Sequence, residues 1–133
     1  MAFVWPVRVY WEDTDAGGVV YYANYLKFME RARSEWLRVH GFEQDALRDG
    51  AGVVFVVRRV EIDYLAPARF NDQLDVSVEL AGMGRASLDV IQAVCAGPTR
   101  LASAAVKLAC VDAAHFKPAR IPEPILQALA RAT

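Results

Sequence analysis

The chain has 133 residues, of which 55% are hydrophobic and 23% charged, enough for one buried core and too apolar for a chain that stays unfolded. Fifteen Lys and Arg stand against sixteen Asp and Glu, a formal net charge of −1 with no long run of one sign. That balance excludes the basic face of a nucleic-acid binder and a polybasic membrane patch. The N-terminal stretch 1–6 carries no basic segment followed by an apolar run, and no stretch reaches the ~18 apolar residues of a membrane span. Cytoplasm without membrane insertion is the expectation. Cys95 and Cys110 stand singly in apolar, strand-like segments with no CxxC spacing, so they read as small core residues.

From Phe3 to Trp11 the residues are β-branched and aromatic, with Val7, Val9 and Trp11 on one face at period two, which predicts a strand. A turn-forming cluster follows, Glu12-Asp13-Thr14-Asp15-Ala16-Gly17-Gly18. Between Ala23 and His40 the period changes: Tyr25, Phe28, Met29, Ala32, Trp36 and Val39 recur at spacings of three and four, the stripe of an amphipathic helix. Arg31 and Glu35 are four apart on its polar side, and Gly41 is placed to end it. A short helical turn is expected over Glu43 to Asp49.

The remainder predicts strands at Val53 to Leu65, Gln73 to Ala81, Ala86 to Cys95 and Thr99 to Val111, and a short helix near Ile125 to Ala130. Leu74, Val76, Val78 and Leu80 alternate with polar residues, the pattern of a sheet with one buried face. The one long amphipathic helix spans ~27 Å, a length comparable with a long strand and suited to cover that face. The sequence therefore predicts a single α+β domain, one helix packed across a curled antiparallel sheet of about five strands.

Chemistry has few places to reside. The motifs GxSxG, HExxH, GxxxxGK[ST] and GxGxxG are absent. His40 lies at the helix C-terminus, ~25 Å along the axis from the helix start, and His115 lies past the last strand. What remains is a carboxylate-bearing, glycine-containing loop running into a helix N-terminus. Unpaired amides and the positive end of a helix dipole hold an oxygen that becomes anionic, and a carboxylate beside the carbonyl attacks it or activates water. Composition alone favours a plainer reading, Asp as a turn former or helix cap. Under that reading Asp13 is the structural acid, Asn24 caps the helix and Thr14 bonds within the turn.

The run Val9-Tyr10-Trp11-Glu12-Asp13-Thr14-Asp15-Ala16-Gly17-Gly18-Val19-Val20-Tyr21-Tyr22-Ala23-Asn24-Tyr25-Leu26, continuing through Glu30-Arg31-Ala32-Arg33-Ser34-Glu35-Trp36-Leu37, resembles the signature of hotdog-fold acyl-CoA thioesterases. The likeness is to the Tol-Pal-associated (YbgC-type) branch, with 4-hydroxybenzoyl-CoA thioesterases as near relatives. It extends through Asp63-Tyr64-Leu65-Ala66-Pro67-Ala68-Arg69-Phe70-Asn71-Asp72 and covers most of the chain. The resemblance implies Asp15 as the catalytic carboxylate, with amides at the helix start polarising the thioester carbonyl; by position these are tied to Gly18 and Tyr22. The Tol-Pal-associated branch usually has His where this chain has Tyr22, and the hydroxybenzoyl branch matches it there. Arg85 and Ser87, in Gly84-Arg85-Ala86-Ser87, match the turn that binds coenzyme A, through a phosphate and the pantetheine arm. Their plainer reading is a solvated hairpin turn.

Arg58 and Arg59 are adjacent in a strand and expected on opposite faces, with Arg59 a candidate for the cofactor groove. Tyr64 is a candidate lining residue of the acyl pocket, a buried core tyrosine being the alternative. The reading is an acyl-CoA thioester hydrolase acting on short- or medium-chain or aromatic acyl groups, forming homodimers or homotetramers. It implies no metal or redox cofactor, coenzyme A being part of the substrate. The alternatives are a thioesterase for acyl carrier protein and a non-catalytic binding module. A hydratase ranks below them, because no His accompanies the loop.

Overall fold

The computed structural model describes residues 2–132, the last by its backbone alone. In chain order the elements are β1 (Phe3–Arg8), a 3-10 turn (Trp11–Asp13), α1 (Asn24–Val39), α2 (Gln44–Gly50), β2 (Val53–Tyr64), β3 (Gln73–Met83), β4 (Ser87–Ala96), β5 (Thr99–Asp112) and α3 (Glu123–Ala132). The strands form one antiparallel sheet in the order β1-β3-β4-β5-β2, and α1 packs on β1, β3 and β4. This is the α+β arrangement that the pattern predicted, one long helix packed on an antiparallel sheet of five strands, and the hotdog fold that the resemblance implies.

The core follows from two periodicities meeting. Leu74, Val76 and Val78 of β3 and Leu88, Val90 and Val94 of β4 present one face to Tyr25, Phe28, Met29, Ala32 and Trp36 of α1, and all are buried in one cluster. Each large side chain so buried contributes ~1.5–3 kcal/mol. Helix α1 is stopped by Gly41, two residues past its last turn, whose φ of 95° suits glycine. The Phe42 amide donates to the Leu37 carbonyl and the Gly41 amide to that of Arg38, the paired bonds of a Schellman stop. Gly97 has φ 58° at the first central position of the two-residue β4–β5 hairpin, as a type II′ turn requires.

Four local expectations are corrected. The first strand stops at Arg8, because the 3-10 turn breaks the alternation; Trp11 is 72% exposed and stacks on Phe70. Val39 is exposed although it shares the apolar face of α1, since it is the last helical residue before the chain turns away. Glu35 bonds Arg38, which also bonds Glu43, and not Arg31. Arg58 falls in a bulge, as Val57 faces Leu108 and Arg59 faces Lys107, so the alternation is interrupted there and both arginines are exposed.

One buried polar node went unread in the sequence. Arg33 lies on the buried side of α1 and donates to Oε1 of the buried Gln92 on β4 (2.9 Å). The Gln92 amide nitrogen donates to the carbonyls of Met29 (3.0 Å) and Ser77 (3.3 Å). Helix and sheet are thus joined through one satisfied amide, and burial pushes the Arg33 guanidinium below its ordinary pKa while Glu30 opposes the shift.

Candidate active site

The loop between β1 and α1 is held from both ends. Asp13 is buried; its Oδ2 accepts the Tyr10 amide (2.9 Å), its Oδ1 accepts the Asn24 side-chain amide (2.9 Å), and its carbonyl accepts the Tyr21 amide (2.9 Å). The entry to the loop is thereby fastened to the first turn of α1. Thr14 Oγ donates to the Trp11 carbonyl (2.7 Å). Asp13 and Thr14 are therefore structural, as their turn chemistry suggests. Asn24 is not a cap: its side chain is committed to Asp13 and the N-cap position belongs to Ala23, which offers no side-chain acceptor.

Beyond Asp13 the chain makes a short hairpin. Thr14 pairs with Val20, the Asp15 amide donates to the Val19 carbonyl (2.9 Å), and the Gly18 amide donates to the Asp15 carbonyl (3.1 Å). Asp15 is exposed at the tip, and its Oδ1 accepts the Gly17 amide at 2.8 Å. A Cβ at position 17 would come within 3.2 Å of that oxygen, so glycine there leaves the carboxylate room. Gly18 has φ 79°. Its amide is engaged in the turn, and what the residue supplies to the geometry is that backbone angle.

The returning strand pairs with the segment after β2: Val19 faces Arg69, and the Val20 amide donates to the Ala68 carbonyl (2.8 Å). The Ala68 amide donates to the Tyr25 hydroxyl (3.0 Å). Asp72 accepts the Arg69 amide on its carboxylate, while its carbonyl takes the Val9 amide. The segment 66–72 that extends the family signature is thus the far wall holding this loop.

At the mouth of α1 two successive peptide planes are held by their carbonyl ends. The Tyr21 carbonyl accepts the Asn24 amide (2.8 Å), and the Tyr22 carbonyl accepts the Tyr64 hydroxyl (2.9 Å). Among the described residues, the amides of Tyr22 and Ala23 have no acceptor. The first turn of α1 carries no acidic residue either, so the positive end of the helix is left uncompensated.

Beside it lies an open cavity of about 320 Å³ lined by Val20, Tyr22, Tyr25, Tyr64, Leu65, Ala66 and Pro67. The Tyr64 ring meets those of Tyr22 and Tyr25 edge-on, with centroids 6.2 and 5.3 Å away. Tyr64 is 44% exposed, not a core residue. Desolvation, then the neighbouring Tyr22 and Tyr25, push its phenol above the ordinary pKa, which keeps it a hydrogen-bond donor near neutrality.

Tyr22 and Tyr64 meet at this end of the helix and line its cavity, while Asp15 and Gly18 sit in the hairpin that leads into α1, outside that lining, and the residues tied to coenzyme A lie elsewhere. Arg85 is exposed in the β3–β4 turn, beside α3, where a cavity of about 520 Å³ is lined by Met83, Gly84, Arg85, Glu123, Leu126, Gln127 and Ala130. Ser87 opens β4, and its carbonyl accepts the Gly84 amide (2.8 Å). Arg59 lines a separate crevice with Asp89 and Lys107 and is bonded to Glu61. His40 is the α1 C-cap, its ring against Trp36, and His115 sits in the turn after β5 beside Asp112. Among the described residues, no three His, Cys, Asp or Glu are grouped to hold a metal ion, and no helix is long and apolar enough to cross a membrane.

Residues 9–129 match the family model for the thioesterase-like superfamily. The acyl-CoA thioester hydrolase YbgC of Escherichia coli O6:H1 is 49% identical over 125 residues, covering 93% of this chain and 92% of that one. The acyl-CoA thioesterase YbgC of Haemophilus influenzae is 44% identical over 92% of this chain and 90% of its own. Among solved structures, a probable thioesterase from Bartonella henselae superposes with a TM-score of 0.88 at 36% identity, covering 92% of this chain and all of that one.

Proposed function

Since the chain belongs to the thioesterase-like superfamily, we propose that it hydrolyses acyl-coenzyme A to the free acid and coenzyme A, with Asp15 as the catalytic carboxylate and the Tyr22 amide as oxyanion donor. The observation that carries this reading is the uncapped opening of α1, whose amides stand free beside the loop that presents Asp15. As the thioester carbon is attacked, its carbonyl oxygen gains negative charge, and a fixed amide at the positive end of a helix stabilises that charge without reorganising.

The attacking group is the Asp15 carboxylate itself, giving a mixed anhydride that water then opens, or a water from which Asp15 takes the proton. In either route the electrons of the broken C–S bond leave on sulfur, and a thiolate is a good enough leaving group to need no strong acid. Gly18 shapes the turn that sets Asp15. The acyl group lies in the tyrosine-lined cavity, whose rings and Leu65 suit short or medium chains and aromatic acyl groups.

Arg85 is the residue for a coenzyme A phosphate, with Ser87 toward the pantetheine arm; Arg59, already paired with Glu61, is the weaker of the two cations for that task. Truncating Arg85 to Ala is expected to raise KM for acyl-CoA roughly three- to tenfold with kcat kept, the range for an exposed charge contact. Acyl-pantetheine thioesters, which lack the nucleotide phosphates, would show no change. Equal losses on both substrates would place Arg85 elsewhere in the mechanism.

Because Arg85 and Asp15 are not brought together in one chain, the reading includes an active site completed by a second copy in a homodimer or homotetramer of single-domain subunits. The flank of β2 away from β5 has no strand partner among the described residues, and Val57, Tyr64 and Leu65 are exposed along or just after it. The compartment consistent with this soluble chemistry is the cytoplasm. Free-thiol release from short-chain, long-chain and aromatic acyl-CoAs, matched with the same acyl groups on acyl carrier protein, tests the assignment. Turnover confined to carrier protein would move the substrate to that class, and no turnover of any member would leave a binding module.

A further inference from the structure

Resting on the thioesterase reading above, we propose that Tyr64 is a positioning residue, its hydroxyl holding the Tyr22 carbonyl so that the Ala23 amide serves as a second oxyanion donor beside that of Tyr22. A trans peptide is planar, with its N–H directed opposite to its C=O, so a bond that fixes the carbonyl end also fixes the amide end. The plane joining Tyr21 to Tyr22 is fixed by the Asn24 amide within the helix opening itself. The next plane, joining Tyr22 to Ala23, has one restraint from outside the helix, the Tyr64 hydroxyl at 2.9 Å.

The geometry around Tyr64 suits that task better than it suits lining alone. Its ring is set edge-on against Tyr25, and the Tyr25 hydroxyl is in turn bonded by the Ala68 amide, so the phenol is aimed from a braced position at the end of β2. Donation to the Tyr22 carbonyl also polarises that peptide and strengthens the Ala23 N–H as a donor. Both free amides then lie at consecutive positions, the arrangement that holds one developing oxyanion between two donors.

Tyr64→Phe keeps the ring and its packing and removes the hydroxyl. Removal of an oxyanion donor costs ~10²–10³ in rate; here the amide remains but is released, so kcat is expected to fall about tenfold with KM within about twofold of wild type. The carbonyl stretch of an acyl-CoA bound to Asp15→Asn, measured by difference infrared spectroscopy, should lie below its solution value and move back toward it in Asp15→Asn/Tyr64→Phe. A raised KM with kcat unchanged would overturn the proposal and leave Tyr64 as a pocket wall, as would a loss of kcat that tracks a lower melting midpoint with no shift of the carbonyl band. Wild-type turnover by Asp15→Asn would refute the choice of carboxylate instead. The split between kcat and KM in the single Tyr64→Phe variant decides the role of Tyr64 whichever carboxylate acts.

Discussion

Asp15→Asn is expected to lower kcat for acyl-CoA hydrolysis by about 10³-fold while leaving the unfolding midpoint within about 0.5 kcal/mol of wild type. The two halves of that expectation rest on different observations. Asp15 is exposed, and its one side-chain bond is accepted from the Gly17 amide through Oδ1. The amide of asparagine retains an oxygen at that place, so the turn keeps its bond and the fold loses almost nothing. What asparagine cannot do is attack a thioester carbon as a carboxylate or take a proton from water. KM is expected to change little, because the charge contacts proposed for substrate binding lie at Arg85 and not at the loop tip. Thiol release measured beside urea denaturation checks both halves, and retention of turnover would remove Asp15 from the mechanism.

The fold was legible in the sequence where one periodicity ran unbroken. The alternation of Leu74, Val76 and Val78 and the stripe of Tyr25, Phe28, Met29, Ala32 and Trp36 are buried as expected, because a sheet with one wet face and a helix with one apolar face leave few ways to pack. The pattern misled where local geometry interrupted it. Trp11 was put on the strand face, yet the 3-10 turn at Trp11–Asp13 had already broken the register. Arg58 and Arg59 looked opposed until a bulge consumed one residue. Nor does the helical stripe reveal that Gln92, 59 residues away, takes Arg33 into the core.

The candidate site was legible in part, and for a physical reason. Turn chemistry and the family signature mark a carboxylate beside a helix start, since those features are written in adjacent residues. Which amide is free is a tertiary fact. The Gly18 amide is spent within its own turn, whereas the Tyr22 and Ala23 amides precede the first helical residue and no side chain reaches back to them, the third helical position being Leu26. Likewise Tyr64 reads in sequence as one more apolar wall, and its bond to the Tyr22 carbonyl spans 42 positions. The spacing of Asp13 and Asn24 was visible all along; a buried acid paired with an amide eleven residues later is the signal that would have separated a clamp from a cap.

The same chemical change made two residues earlier should have the opposite outcome. Asp13→Asn is expected to destabilise the fold by about 1–3 kcal/mol, as two hydrogen bonds to a buried carboxylate are replaced by bonds to a neutral amide. Both oxygens of Asp13 accept: Oδ2 takes the Tyr10 amide and Oδ1 the Asn24 side chain. An asparagine offers one oxygen and one NH₂: its oxygen can keep the Tyr10 amide, but its NH₂ then meets the Asn24 NH₂ until the Asn24 amide turns over to present its oxygen, and both bonds to a buried carboxylate become weaker bonds to a neutral amide. With the clamp weakened, the helix mouth is held less firmly to the loop entry, and kcat falls with stability even though Asp15 is untouched. Urea denaturation and thiol release on Asp13→Asn and Asp15→Asn side by side should therefore separate the two acids: one loses stability and activity together, the other activity alone. A stable, active Asp13→Asn would show that the buried clamp does not set the geometry of the site.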